Sequence, residues 1–135
     1  MIRPSFRLAL VVLALAVSAR AVGARVLLNT IDATATLIGN GHVVRGTVLL
    51  GCTAGEQMRF TLTLTQGGAS GTGLGAGVCT GELTAYDVTI PAGAGTFTPG
   101  VAQACATADN YDRGTLVDSK QWCRASGVTL SDCSR

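Results

Sequence analysis

From Met58 to Thr65 the chain alternates without exception, with Met58, Phe60, Leu62 and Leu64 apolar and Arg59, Thr61, Thr63 and Thr65 polar. A period of two belongs to a β-strand with one face in a core and the other in water. The same reading predicts a strand whose core face carries Val44, Gly46, Val48, Leu50 and Cys52, and a shorter one over 33–38. Gly39-Asn40-Gly41 joins these two, and Gly and Asn tolerate the positive φ that a tight hairpin turn demands. Thr53-Ala54-Gly55-Glu56 turns the chain into the 58–65 strand. Further strands are predicted over 83–90, 96–98, 101–108 and 120–130, with a short segment around Val78, a Pro-Gly turn at 91–95 and a polar link over 109–119. No stretch of the region beyond residue 24 shows helical periodicity. About seven short strands at this spacing predict an all-β domain of two packed sheets, an immunoglobulin-like sandwich.

Residues 67–77 carry six glycines in eleven positions. Ordering so many glycines is entropically costly, which predicts a flexible surface loop there.

The first 24 residues follow another logic. Arg3 and Arg7 precede an unbroken apolar run from Leu8 to Val17, and small residues follow. This is the pattern of a secretory signal peptide, and the run is too short to span a bilayer, which takes roughly 20 residues. Cleavage after Ala24 is expected, with Ala21 as the alternative, leaving one domain over 25–135. Loss of Arg3, Arg7 and Arg20 reduces ten basic residues to seven against eight acidic ones, so the net charge moves from +2 to about −1. The remaining Lys and Arg are scattered, which argues against a nucleic-acid surface. No second apolar run reaches spanning length, so no membrane insertion is expected after signal removal.

In order along the exported part, Gly51-Cys52-Thr53-Ala54-Gly55-Glu56, Leu64-Thr65-Gln66, Cys79-Thr80-Gly81-Glu82 and Phe97-Thr98-Pro99-Gly100-Val101-Ala102 form a pattern. It resembles that of small exported bacterial immunoglobulin-like β-sandwich proteins of unknown function. The resemblance implies the sandwich fold and a Cys52–Cys79 disulfide, and implies no activity. The C-terminal third departs from the pattern by carrying three further cysteines.

All five cysteines lie in the exported part, where oxidation is the default. Cys105 and Cys123 are equidistant from Gly114 and would face each other across a hairpin of the last two strands. Cys133 is then left over, as a free thiol, a mixed disulfide or a bridge between two chains; an exchange in which it replaces one of the other four also stays open. Cys-x-x-Cys pairs are missing, so metal is not expected, and no cofactor is implied.

Catalytic chemistry has little to draw on. His42 is the single histidine, at a turn, and the acids fall singly in turns and at strand ends. Gly71-Thr72-Gly73-Leu74-Gly75-Ala76 matches a dinucleotide fingerprint only formally, because no helix follows to receive the pyrophosphate. Calcium at Asp109, Asp112 and Asp118 lacks the spacing of a known loop. The domain is therefore read as non-enzymatic. The residues suited to recognition are those of the polar link and its flanks: Asp109, Asn110, Tyr111, Asp112, Arg113, Asp118 and Trp122, since Tyr, Arg and Trp concentrate interface energy. The competing reading of this stretch is an acidic turn with Trp122 packed over the Cys105–Cys123 bridge. The expectation is a secreted binding or structural module that meets a protein or cell-surface component through its end loops. The alternative is a small-ligand carrier with an apolar cleft between the sheets.

Overall fold

The computed structural model describes residues 26–132. The predicted signal peptide and Cys133 lie outside them. Eight strands follow one another: β1 (Val26–Ile31), β2 (Thr34–Ile38), β3 (Val43–Cys52), β4 (Gln57–Gln66), β5 (Ala69–Val78), β6 (Thr84–Ala94), β7 (Gly100–Asp112) and β8 (Thr115–Asp132).

These strands do not form a two-sheet sandwich. β3 pairs antiparallel with β6 over eight positions, from Val43 opposite Pro91 to Leu50 opposite Thr84. The opposite edge of β3 carries β2, which pairs in parallel with the end of β8, from Thr34 opposite Thr129 to Leu37 opposite Asp132. From β8 the ladder continues through β7, β4 and β5 back to β6. Seven strands thus close into one mixed barrel. β1 is the extra strand, lying end to end with β2 along β3 and broken from it at Asp32, whose carboxylate accepts the Ala33 N–H at 2.8 Å. Alternating strands satisfy sandwich and barrel equally well, since each needs one buried face per strand. The edge pairings decide between them, and here β3–β6 and β2–β8 leave no gap between two sheets.

The second correction concerns 67–77. Only Gly67 and Gly68 form a turn; the rest is β5, paired with β4 at ten positions from Gln57 opposite Val78 to Gln66 opposite Ala69. The glycines alternate because one face of β5 has no room for a side chain. A Cβ on Gly71 would lie 2.3 Å from the Pro91 carbonyl oxygen, one on Gly73 would lie 2.5 Å from that of Thr89, and one on Gly75 would lie 2.2 Å from the Phe60 ring. Gly77 would meet the Tyr86 ring at 2.7 Å. Regular pairing between β5 and β6 is confined to Ser70 opposite Ala94 and Gly71 opposite Ala92, with a bulge between. Beyond it the barrel closes by pressing the β6 backbone and the rings of Phe60 and Tyr86 against a face of bare backbone. The glycines bring about closure rather than flexibility.

The third correction concerns the polar link. β7 runs unbroken to Asp112 and β8 begins at Thr115, so only Arg113 and Gly114 turn, both at positive φ (53° and 85°). The strand predicted at 96–98 is instead part of the loop before β7.

Inside, Val44, Val48 and Leu50 of β3 meet Met58, Phe60, Leu62 and Leu64 of β4, Val88 and Ile90 of β6, and Val128 and Leu130 of β8. To this core β7 contributes Ala102, Ala104, Ala106 and Ala108, ahead of Asn110 in the same inward row, matching small residues to large ones in the packed interior.

Candidate functional site

The barrel has two ends, each plugged by residues that the sequence pattern had singled out. At one end Cys52 and Cys79 are joined and almost fully buried. Around the bridge the Gly55 N–H donates to the Cys79 carbonyl at 2.9 Å, Cys79 N–H to Glu56 at 2.8 Å and Gly81 N–H to Cys52 at 3.0 Å, so the two cysteine segments zip together. Beneath them Glu56 and Asn110 are the buried polar side chains among the described residues, and Asn110 Nδ2 donates to Glu56 Oε1 at 2.8 Å. At the other end Phe97 closes the barrel, its N–H donating to Gly41 at 2.9 Å. Gln66 clamps the next residue, accepting the Thr98 N–H and donating to the Thr98 carbonyl, both at 2.9 Å. These motif residues are committed to building the fold. Between the plugs a void lined by Ile31, Ala35, Leu62 and Ile90, among the described residues, measures about 10 Å³.

Pairing register places the outer face. Arg59 lies opposite Asp109 and next to Ala76, Thr61 lies between Leu74 and Thr107, and Gln57 opposite Tyr111. Of these, Arg59, Thr61, Leu74, Ala76, Thr107, Asp109 and Tyr111 line a shallow concavity of about 480 Å³ on the outside of β5, β4 and β7. Arg59 stands over the Tyr111 ring, 5.5 Å from its centroid, a cation–π contact. Leu74 beside it is 74% exposed, the most exposed large apolar side chain in the described barrel. Thr61 and Thr107 share a 2.6 Å hydrogen bond along the floor, and Ser119 Oγ donates to Asp109 at 2.6 Å. The concavity thus combines a fixed cation, an aromatic ring, hydroxyls and an unsatisfied apolar side chain.

The residues expected to form one recognition surface are divided by the strand period. Asp109 and Tyr111 face outward into the concavity. Asp112 and Arg113 sit at the hairpin tip, where they border a second groove with Thr53, Gly55 and Gln57. Asn110 points inward to Glu56 and is not a surface residue. Trp122 lies opposite Ala106, on the inward side of β8, partly buried against the core. It is therefore not packed over the Cys105–Cys123 bridge, which is on the other face. Asp109 and Asp118 occupy opposite faces, and among the described residues no three His, Cys, Asp or Glu side chains gather as a metal site. His42 is exposed in the β2–β3 turn, at the end of the barrel away from the hairpin tip.

Arg59 and Leu74 were not anticipated. One belongs to the wet face of a strand and the other to the glycine run, and only the β4–β5 and β4–β7 registers bring them to Tyr111. Compared with protein-family models and with curated proteins, the chain matches none. Of the resemblance in the sequence, what stands is a small all-β protein with disulfides.

Proposed function

We propose that the protein is an exported, non-enzymatic recognition module whose contact surface is the outer face of β4, β5 and β7. The observation that carries this reading is the concavity where Arg59 stacks on Tyr111 beside the exposed Leu74. An aromatic ring and a guanidinium held together lose little side-chain freedom on binding, and both residue types dominate contact energies. The two disulfides support an oxidising, extracytoplasmic setting. Surface recognition is favoured over internal carriage because ligand pockets take about 300–1,000 Å³, against an interior void of about 10 Å³.

The test is capture from an extracytoplasmic extract of the source, comparing the native domain with the Arg59→Ala, Tyr111→Ala double variant and with Arg113→Ala at the hairpin tip. A component retained by the native domain and by Arg113→Ala but lost by the double variant supports the outer face. Equal retention by the double variant moves recognition elsewhere, and loss with Arg113→Ala alone moves it to the tip.

A further inference from the structure

The two disulfides differ in a way that assigns them different chemistry. Cys52 and Cys79 are 2% and 3% exposed, enclosed by the zipped turn segments at the barrel end. Cys123 is exposed and Cys105 half-buried, and their bridge lies on the outer face of the β7–β8 ribbon. A thiolate must reach a sulfur to exchange with it, so access separates the two bridges. The β7–β8 ladder gives the second difference. Cys105 and Cys123 are directly opposite partners, flanked by Ala104 opposite Arg124 and Ala106 opposite Trp122, and β7 is held on its other edge by β4 from Gln57 opposite Tyr111 to Thr65 opposite Gln103. Opening the bridge removes none of these pairings, so the two sulfurs stay face to face and can re-form it.

We propose that Cys105–Cys123 is a thiol-exchange site, which reacts reversibly with an external dithiol while the barrel stays folded and Cys52–Cys79 stays intact. The attacking thiolate forms a bond to Cys123 Sγ, the sulfur of the more exposed residue. The Cys105–Cys123 bond breaks with its electron pair on Cys105 Sγ, which takes a proton from water. The second thiolate of the dithiol then attacks its own sulfur in the mixed disulfide, releasing the Cys123 thiolate. The external dithiol leaves as its disulfide, oxidised by two electrons, and Cys105 and Cys123 are left reduced. Register puts Thr63 opposite Cys105 and Thr107 two residues along on the same face, so the leaving sulfur emerges among hydroxyl-bearing side chains rather than in the core.

The native protein is titrated with dithiothreitol without denaturant, quenched with N-ethylmaleimide and digested with trypsin and a glutamate-specific protease. Cleavage after Lys120, Arg124, Glu82 and Arg113 separates Cys123 from Cys133 and Cys79 from Cys105. The expected result is alkylation of Cys105 and Cys123 at dithiol concentrations that leave Cys52 and Cys79 unlabelled and the far-ultraviolet circular dichroism unchanged. Transfer into an excess of the oxidised dithiol restores the bridge by the reverse exchange, the added disulfide taking up the two electrons. Labelling of Cys52 and Cys79 first, or of all four together with loss of the folded signal, overturns the proposal. A second arm uses glutathione, whose mixed disulfide should be trapped on Cys123. Trapping on Cys105 would overturn the assigned direction of attack.

Discussion

Replacing Gly73 with Ala tests the closure of the barrel at one atom. By strand propensity alone the change is favourable, since Gly inside a strand is about 0.5–1 kcal/mol worse than Ala. The structure reverses the sign. The added Cβ would stand 2.5 Å from the Thr89 carbonyl oxygen, 2.7 Å from Val88 Cγ2 and 2.9 Å from Ile90 Cγ1, where unstrained carbon contacts begin at about 3.5 Å. Relief requires β6 to retreat by about 1 Å, by the difference between those separations. β6 cannot retreat alone, because eight pairings tie it to β3. Overpacking of this kind costs about 1–3 kcal/mol, and the upper part of that range applies because the obstacle includes backbone. In a domain of this size each kcal/mol lowers Tm by about 4–8 °C. Gly68→Ala is the control: a Cβ there meets nothing within 4 Å, so the change stays within about 0.5 kcal/mol. Urea unfolding followed by circular dichroism compares the two. Gly73→Ala as stable as Gly68→Ala would refute close approach as the reason for the glycine run.

Two further substitutions separate fold from surface. Asn110→Ala removes the amide that donates to the buried Glu56 carboxylate and should lower stability by about 1–3 kcal/mol, read from the urea midpoint. Trp122→Ala, on the inward side of β8, should cost about 1–3 kcal/mol of stability and leave capture by the outer face unchanged, measured by thermal unfolding and by the same retention assay.

The sequence made individual strands readable and left their assembly open. β4 was legible because its alternation is perfect, and the Cys105–Cys123 bridge because hairpin symmetry fixes which residues of two adjoining strands are opposite. Closure was not, because it depends on β3 meeting β6 across more than thirty intervening residues, and no residue of either strand carries a mark of its partner. The glycine run was misread because composition reports the entropy of ordering glycine but not the backbone that approaches it. In β7 the alternation of alanine with Gln103, Cys105, Thr107 and Asp109 continues past Ala108, and Asn110 stays in the inward row. A polar residue in a buried row hides the strand unless its partner is known, and that partner, Glu56, reads as a turn residue. The same limit hid Arg59, whose contact with the Tyr111 ring crosses two intervening strands of sequence, β5 and β6.

Nuclear Overhauser contacts between strands test the closed barrel most directly. In the folded protein, Gly46 with Val88 and Thr47 with Asp87 across β3 and β6, together with Ala35 and Leu130 across the parallel β2 and β8, should show backbone proton contacts. Contacts along β7–β8 and β4–β7 accompanied by none across β3–β6 and β2–β8 would leave two separate sheets, and the single closed barrel would be contradicted.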